Sequence, residues 1–394
     1  MQSVTQSPTD PEFVQSPYGF YAHARSLGPL VRWEDYGMVA AFSHDVVNTL
    51  LKDRRFGREV PPEQAPVIPP HLEPFYKVEA HSMLELEPPR HTRLRGLVLR
   101  AFTSRRIKAL GPEIAQLARE LAEGLPREGA YDLLPAFAAP LPAIVIARLL
   151  GVPESMVPQL LSWSNAMVAV YQASRTREME NAASVAATEF SDFLRGYVEE
   201  RRAHPADDLI THLIAAEEDG EKLTPDELIT TCILLLNAGH EATVHTLGNG
   251  VKLLLESGMG AEVLTPDRVA GTVEEILRRD PPLHIFTRYA YEDIEVFGHR
   301  FTRGEQVALV LGAACHDPSV WTQPEVFDPS RPVKTTTAFG GGLHFCVGAP
   351  LARLELQIAL PILFETRPGL SLAEAPRYAN LYHFHGLERL MVTG

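Results

Sequence analysis

The sequence predicts a mainly α protein with small β-sheets. Three observations predict it. Helical periodicity persists through most of the chain between Pro89 and Pro281, with brief breaks at Gly124, Gly151 and His204-Pro205. One segment, from Thr224 to about Ser257, is apolar on all sides through its middle, Cys232 to Ala238, which is the pattern of a helix buried through a protein's centre. Short stretches at both ends of the chain supply strands that share sheet. Residues 1–394 are therefore expected to form one fold rather than two separable domains, with residues 1–16 a disordered tail.

In chain order, Ser16-Pro17 opens a short helix that stops at Gly28-Pro29, proline at the start and glycine at the end. Leu30 to Phe42 reads as two strands around Asp35-Tyr36-Gly37, and Ser43 caps a helix running through Lys52. From Gly57 to Pro89 the chain is proline-rich and aperiodic, a loop long enough to suggest a binding-site wall. Thr224-Pro225-Asp226-Glu227 is a capping box with proline at the first helical position, and it launches the long central segment. Thr265-Pro266 opens another helix that ends before Pro281-Pro282. Strands follow at Ile294 to Phe297, Arg300 to Thr302 and Gln306 to Leu311. A proline-punctuated meander covers Asp317 to Pro332, and a last long helix starts near Cys346.

Bulk properties exclude several classes. A length of 394 residues with 45% hydrophobic and 22% charged residues is ordinary for a globular protein with a sizeable core. A net charge of -14 argues against a general nucleic-acid binder, which needs a basic surface to displace counterions. Cys232, Cys315 and Cys346 form no CxxC pair and no disulfide framework, which favours a reducing compartment. The stretch to Phe20 contains no apolar targeting core, and no run reaches membrane-span length. A cytoplasmic, unanchored monomer is expected.

The strongest chemical signal is Phe339-Gly340-Gly341-Gly342-Leu343-His344-Phe345-Cys346-Val347-Gly348. An isolated cysteine in apolar company is most often a small buried hydrophobe. This one follows a glycine run and precedes a helix, where free N–H groups favour a thiolate. A phosphate loop is excluded, because no Gly-Lys-Ser/Thr follows and Phe345 stands at the third glycine position of GxGxxG.

Position by position, this segment resembles the haem-binding signature FxxGxHxCxG of the cytochrome P450 family, and from about Tyr18 onward the chain resembles a bacterial soluble member. The resemblance implies the cytochrome P450 fold, with haem b (iron protoporphyrin IX) between a long central helix and the Cys-bearing helix. It makes Cys346 the axial metal ligand, with Phe339 and Gly348 in the cofactor-binding loop. Glu275-Ile276-Leu277-Arg278 resembles the family's ExxR. Taken alone it is one more helix pair at i and i+3. With Phe327-Asp328-Pro329-Ser330-Arg331 following at the family spacing, the resemblance implies a tie between helix and meander. His91 and Arg95 share a helix face at i and i+4, and with Arg288 and His344 they match the positions that hold the haem propionates, for which arginine's fork is suited.

Ala238-Gly239-His240-Glu241-Ala242-Thr243 resembles the family's oxygen-binding segment, AGxDT or AGxET. His240-Glu241 with His245 is no zinc-protease HExxH: a spacing of five turns the second histidine about 140° from the first. Ala238 and Gly239 leave room for dioxygen, and Glu241 fills the acidic position. The family's alcohol position is Ala242, with Thr243 one residue later, so the usual proton route is in doubt while the fold is not. Glu241 and Thr243 are the catalytic candidates.

By position in the family, Leu234, Asn237, Leu283, His284 and Phe384 are substrate-contact candidates, the last within Tyr382-His383-Phe384-His385-Gly386, and Phe75 and Tyr76 are weaker ones. Asn237 interrupts an apolar run, and a satisfied core amide is the alternative reading for it. The implied reaction inserts one atom of O2 into a small organic substrate. No flavin or iron–sulfur segment exists in the chain, so electrons are expected from a separate ferredoxin-type donor and its reductase, with Arg100, Arg105, Arg106 and Arg353 as candidate docking residues. Two alternatives stay open: a peroxide-using or non-oxygenase haem-thiolate enzyme on the same fold, and a haem sensor without turnover.

Overall fold

The computed structural model of the chain describes residues 1–172, 175–216, 220–381 and 384–394. The described residues pack as two compact units, each assembled from separated stretches of chain. The first comprises Met1–Gln64, Gly111–Ala138 and Ala242–Gly394, and the second Ala65–Leu110 and Ala139–Glu241. The 33-residue helix Pro225–Ser257 contributes to both.

The first unit holds the sheets. Its six-stranded sheet runs Ser3–Val4, Val31–Trp33, Met38–Ala41, Gln306–Val310, Ile285–Ala290, Phe56–Gly57 in spatial order. Val39, Ala40 and Ala41 pair in parallel with Val307, Ala308 and Leu309, so N-terminal and C-terminal stretches share one sheet, as expected from the strand signals at both ends. Both faces are covered: Val39, Ala41, Val307 and Leu309 pack with Leu50, Leu51 and Phe301, while Val31, Trp33, Ala308 and Val310 pack with Tyr21, Ala24 and Phe42. That alternation is the period of two that a strand imposes. A smaller sheet joins Ser371–Leu372, Met391–Thr393 and Tyr131–Asp132.

Helices build the second unit. Arg177–Ala203 packs against Val157–Val168 and Glu73–Glu79, and Leu209–Ala215 against Arg90–Ala101. The expected capping box is formed: Thr224 Oγ1 accepts from the Glu227 N–H at 3.3 Å, and Glu227 Oε2 accepts from the Thr224 N–H at 2.9 Å. Arg93 adds an ion pair to Glu227, fixing the start of the long helix to Arg90–Ala101.

Several expectations are corrected. Residues 1–16 are no disordered tail: Ser3–Val4 forms a parallel edge strand against Arg32 and Trp33, and Asp10 caps the helix Pro11–Gln15 through the N–H groups of Glu12 and Phe13. An apolar Val4 and the acceptor carboxylate of Asp10 gave this stretch the means to pair and cap. The proline-rich loop contains the helix Glu73–Glu79, whose Pro74 sits in the first turn where a missing N–H costs nothing. The last long helix begins at Ala349, just beyond Cys346. Tyr382 and His383 lie outside the described residues.

The ExxR pair is formed and buried. Arg278 Nη2 lies 2.7 Å from Glu275 Oε1, with side chains 1% and 3% exposed. Glu275 Oε1 also accepts from the Asp328 N–H at 2.9 Å and from Arg331 Nε at 3.2 Å. Arg278 donates onward to the carbonyls of Cys315, Pro324 and Val326, and Arg331 to those of Gln323 and Val326. The motif therefore ties helix Val269–Arg279 to the meander, as the resemblance implied. Removing one partner strands a buried charge at a cost of about 3–5 kcal/mol, comparable to the whole stability of a domain. Glu275→Ala and Arg278→Ala are each expected to give little or no folded, soluble protein; normal yield with an unchanged melting temperature in both would contradict this.

Glu355, in the helix Ala349–Thr366, is a different case. It is 1% exposed, its Oε2 has no hydrogen-bond partner among the described residues, and burial pushes its carboxyl up to about 8. A carboxyl raised in the folded state binds its proton more tightly folded than unfolded. Its contribution is intact below about pH 4.5 and is lost as pH rises toward 8, with a slope of at most about 1.4 kcal/mol per pH unit. Glu355→Gln keeps the shape and removes this slope. Denaturant midpoints should coincide for variant and wild type at the acid end and separate in the variant's favour above pH 6.

Candidate functional site

The loop before helix Ala349–Thr366 is shaped by its glycines. Gly340 and Gly342 have φ of +69° and +66°, conformations that an L side chain adopts only under strain. A Cβ on Gly342 would stand 2.3 Å from the carbonyl oxygen of Leu51, and one on Gly340 would stand 3.1 Å from the Phe286 ring. Backbone thus rests directly on helix His44–Lys52 and strand Ile285–Ala290. The result is to present Cys346: its N–H donates to the Phe339 carbonyl at 3.1 Å, and its thiol is exposed. The first turn of the following helix starts at once, with Leu351 N–H on the Gly348 carbonyl at 2.9 Å. Gly348 gives the sulfur room, since a Cβ there would lie 3.8 Å from Sγ. An exposed sulfur at a helix N-terminus suits a thiolate ligand.

Around it, the Phe339 ring lies under the Arg353 guanidinium at 4.5 Å, and Arg353 Nη2 bonds Glu274 at 3.1 Å. His344 and Phe339 are half-buried. Arg288 is 1% exposed on strand Ile285–Ala290, where it donates to the Thr287 carbonyl at 2.8 Å and faces the Phe286 ring. A buried cation of this kind suits a carboxylate such as a porphyrin propionate. In the second unit His91 is buried and Arg95 half-buried on one face of Arg90–Ala101.

On the long helix, Leu234, Asn237, Ala238 and Glu241 are accessible while Ile233, Leu235, Leu236 and His240 are buried. Spacings of three and four residues put the accessible set on one face. Small side chains dominate its end. A Cβ on Gly239 would touch nothing nearer than Ile146 at 3.5 Å. Burial pushes the Glu241 carboxyl up to about 7, so it holds and releases a proton near neutral pH. Thr243, read as catalytic, is 4% exposed. Nine residues on from Leu234, it lies about half a turn around the helix from the accessible face, and the structure corrects its expected role. Ala242 is partly accessible and carries no hydroxyl.

The other pocket expectations divide. Asn237 donates weakly to Met167 Sδ at 3.9 Å, while its buried Oδ1 has no partner among the described residues. The amide is thus half satisfied, which leaves Oδ1 able to accept a hydrogen bond from a ligand. Leu283 and Phe384 are half-buried and bridge each other, with His245 5.3 Å from the Phe384 ring. His284 is corrected. It is 6% exposed, its Nδ1 lies 2.9 Å from the Tyr21 hydroxyl, and burial pushes its imidazole down to about 3. Consecutive residues of an extended chain point to opposite faces, so Leu283 and His284 could not both line one pocket. Phe75 is also core, 1% exposed, against Tyr76 and Tyr171. Of the basic residues considered for docking, Arg106 pairs with Asp207 at 2.6 Å, and Arg100 and Arg105 are exposed.

Changing Gly342 to alanine demands both a strained φ and a backbone shift at Leu51. Gly342→Ala is expected to lose at least about 1–2 kcal/mol in denaturant unfolding; Gly37→Ala, also at positive φ but with no atom within 4 Å of the new Cβ, should lose less.

The family description "Cytochrome P450" matches residues 145–257 and 269–366. The chain is 35% identical to the "Biotin biosynthesis cytochrome P450" of Bacillus subtilis, covering 99% of each. It is also 35% identical to the "Cytochrome P450 monooxygenase PikC" of Streptomyces venezuelae, covering 93% of this chain and 87% of the relative. Among solved structures, P450BioI in complex with a hexadec-9Z-enoic acid ligated acyl carrier protein superposes with a TM-score of 0.90 at 35% identity, covering 97% of this chain and 99% of that one.

Proposed function

The chain belongs to the cytochrome P450 family, whose cofactor is haem b, and we propose that this monooxygenase acts on a small organic substrate carrying a polar group, with electrons from a separate ferredoxin-type protein and its reductase. Cys346 carries the reading: an exposed thiol, presented by a glycine-shaped loop at the start of an 18-residue helix, within the haem signature. By the resemblance, Cys346 would hold the iron, and Arg288, His344, His91 and Arg95, whose side chains suit carboxylates, would hold the propionates. When bound, the haem activates dioxygen and supplies the oxidant, its thiolate ligand favouring O–O cleavage.

The protein's own task is to orient substrate and move protons. Glu241, with a carboxyl near 7, can take a proton from solvent and pass it on at neutral pH. The next position, Ala242, offers no hydroxyl, and Thr243 is turned into the core. The relay is therefore completed by water and by the substrate's own polar group, which Asn237 Oδ1 accepts and holds. Leu234, Leu283 and Phe384 are the apolar contacts that the resemblance implies. Arg100 and Arg105 support docking of an acidic ferredoxin, since they are exposed on an otherwise acidic protein of net charge -14.

Two measurements test this. Reduced wild type with carbon monoxide should show the far-red-shifted Soret band of a thiolate adduct, and Cys346→His should lose that band and the activity. A screen of ligands for the low-to-high-spin shift of ferric haem identifies the substrate class, with free and carrier-borne acyl chains included because the solved relative was captured with an acyl carrier protein.

Product formed per NAD(P)H tests the proton route. The true substrate should couple well, and an analogue lacking its polar group poorly, with the loss released as hydrogen peroxide. Ala242→Thr should recover part of the coupling with the analogue, Asn237→Leu should weaken binding of the true substrate about tenfold, and Thr243→Ala should change little. Strong uncoupling of the native reaction by Thr243→Ala alone would make that threonine the relay. Turnover with peroxide and none with ferredoxin and reductase would favour a peroxide-using enzyme.

A further inference from the structure

One buried group of donors takes no part in the chemistry above. Asp280 follows helix Val269–Arg279, His284 precedes strand Ile285–Ala290, and His385 precedes strand Leu387–Arg389. They are 1%, 6% and 7% exposed. One ligating atom of each lies within 4.8 Å of those of the other two. Asp280 Oδ1 and His385 Nε2 are 3.4 Å apart. Two donors each about 2.1 Å from one metal at the tetrahedral angle stand about 3.4 Å apart, so this edge is already at ligating separation.

Neighbouring groups orient the donors from behind. The Tyr21 hydroxyl engages His284 Nδ1 at 2.9 Å and the Pro281 backbone also hydrogen-bonds the imidazole, while the buried Nε2 atoms of His284 and His385 make no hydrogen bond of good geometry among the described residues. The Tyr378 hydroxyl donates to the second oxygen of Asp280, and the Tyr378 ring stacks on His385 at 3.8 Å. The His385 backbone is pinned in turn, its N–H on the Pro282 carbonyl at 2.8 Å and its carbonyl accepting from Asn249 Nδ2 at 2.8 Å. Partners of this sort on the far side of each ligand set tautomer and direction in histidine–carboxylate metal sites. Two imidazoles and a carboxylate are the donors of zinc and related first-row divalent ions, whereas calcium and magnesium require more oxygens. Tyr18 Oη lies 3.4 Å from Asp280 Oδ1 and 3.2 Å from the Arg279 carbonyl, a further oxygen beside the set.

We propose that Asp280, His284 and His385 form a closed structural site for a zinc-class divalent ion, separate from the haem iron. The ion would clip the C-terminal segment to the link after the ExxR helix and, through Tyr18 and Tyr21, to helix Tyr18–Ser26. Donors this far apart in sequence meet only in the folded chain, so binding would stabilise the fold.

The test counts metals. Untagged, haem-loaded protein is incubated with zinc sulfate, desalted, and analysed for zinc and iron per chain by mass spectrometry. About one zinc per chain beyond the haem iron is expected. His284→Phe and His385→Phe should each lower zinc at least tenfold while leaving iron content and the carbon monoxide band in place. If those variants fail to fold, zinc-edge X-ray absorption of the wild type decides, and two imidazole nitrogens with one or more oxygens are expected. Absence of zinc from the wild type, retention of zinc by both variants, or a zinc shell containing sulfur would each overturn the site and leave a neutral hydrogen-bonded cluster in its place.

Discussion

The network centred on Glu275 ties a helix to a stretch of chain without regular structure. A carboxylate 4% exposed and a guanidinium 1% exposed are tolerable only when every donor and acceptor is used. Here the demand is met by backbone: the Asp328 N–H on one side, and the carbonyls of Cys315, Pro324 and Val326 on the other. Meander residues lacking regular secondary structure therefore acquire fixed positions from a single pair of helical side chains. The strands Ile285–Ala290 and Gln306–Val310 and the loop Phe339–Gly348 lie in the same stretch of chain. The meander that the pair fixes leads, a few residues on, into that loop.

Presentation of the cysteine depends on a second constraint of another kind. At Gly342 the backbone comes so close to Leu51 that no side chain fits, and φ there is positive. Polar satisfaction in the ExxR network and steric exclusion in the glycine loop act in one unit on neighbouring stretches. One explains why the meander is ordered; the other explains why a thiol beside a helix start is exposed rather than packed away like Cys232 and Cys315, both of which are 0% exposed.

Much of this was legible in the sequence because it is local. The capping box at Thr224 and the i,i+3 pair at Glu275 are each encoded within a few residues and form as read, while the glycine run before Cys346 brings backbone against Leu51 and Phe286. What escaped was non-local or depended on direction. The N-terminal stretch looks polar and unpatterned, but one valine at an open sheet edge and one aspartate at a helix start suffice to order it. Leu283 and His284 are adjacent in sequence, and their partners reveal that they face different ways, Leu283 bridging Phe384 and His284 buried against Tyr21. The period of two could have warned against assigning both to one pocket. Thr243 could have been excluded by the same reasoning at 100° per residue, since Leu234 and Glu241 already define the accessible face.

The two buried polar clusters of the first unit show how differently such groups can be satisfied. Around Glu275, opposite charges meet and the remaining hydrogen-bonding capacity goes to backbone, so the cluster is complete in itself. Around Asp280 the partners are phenols and imidazoles: Tyr378 and Tyr18 donate to the carboxylate, Tyr21 engages His284, and aromatic stacking of Tyr18 on His316 and of Tyr378 on His385 fills the space. Histidines are kept neutral there by burial, which pushes His284 to about 3 and His316 to about 2. A neutral imidazole keeps one lone pair on a ring nitrogen, and His284 Nε2 is left with no hydrogen-bond donor facing it. The first cluster answers a buried charge with charge. The second is built from neutral donors and acceptors converging on one carboxylate, with the buried Nε2 atoms of His284 and His385 left without a hydrogen bond of good geometry among the described residues.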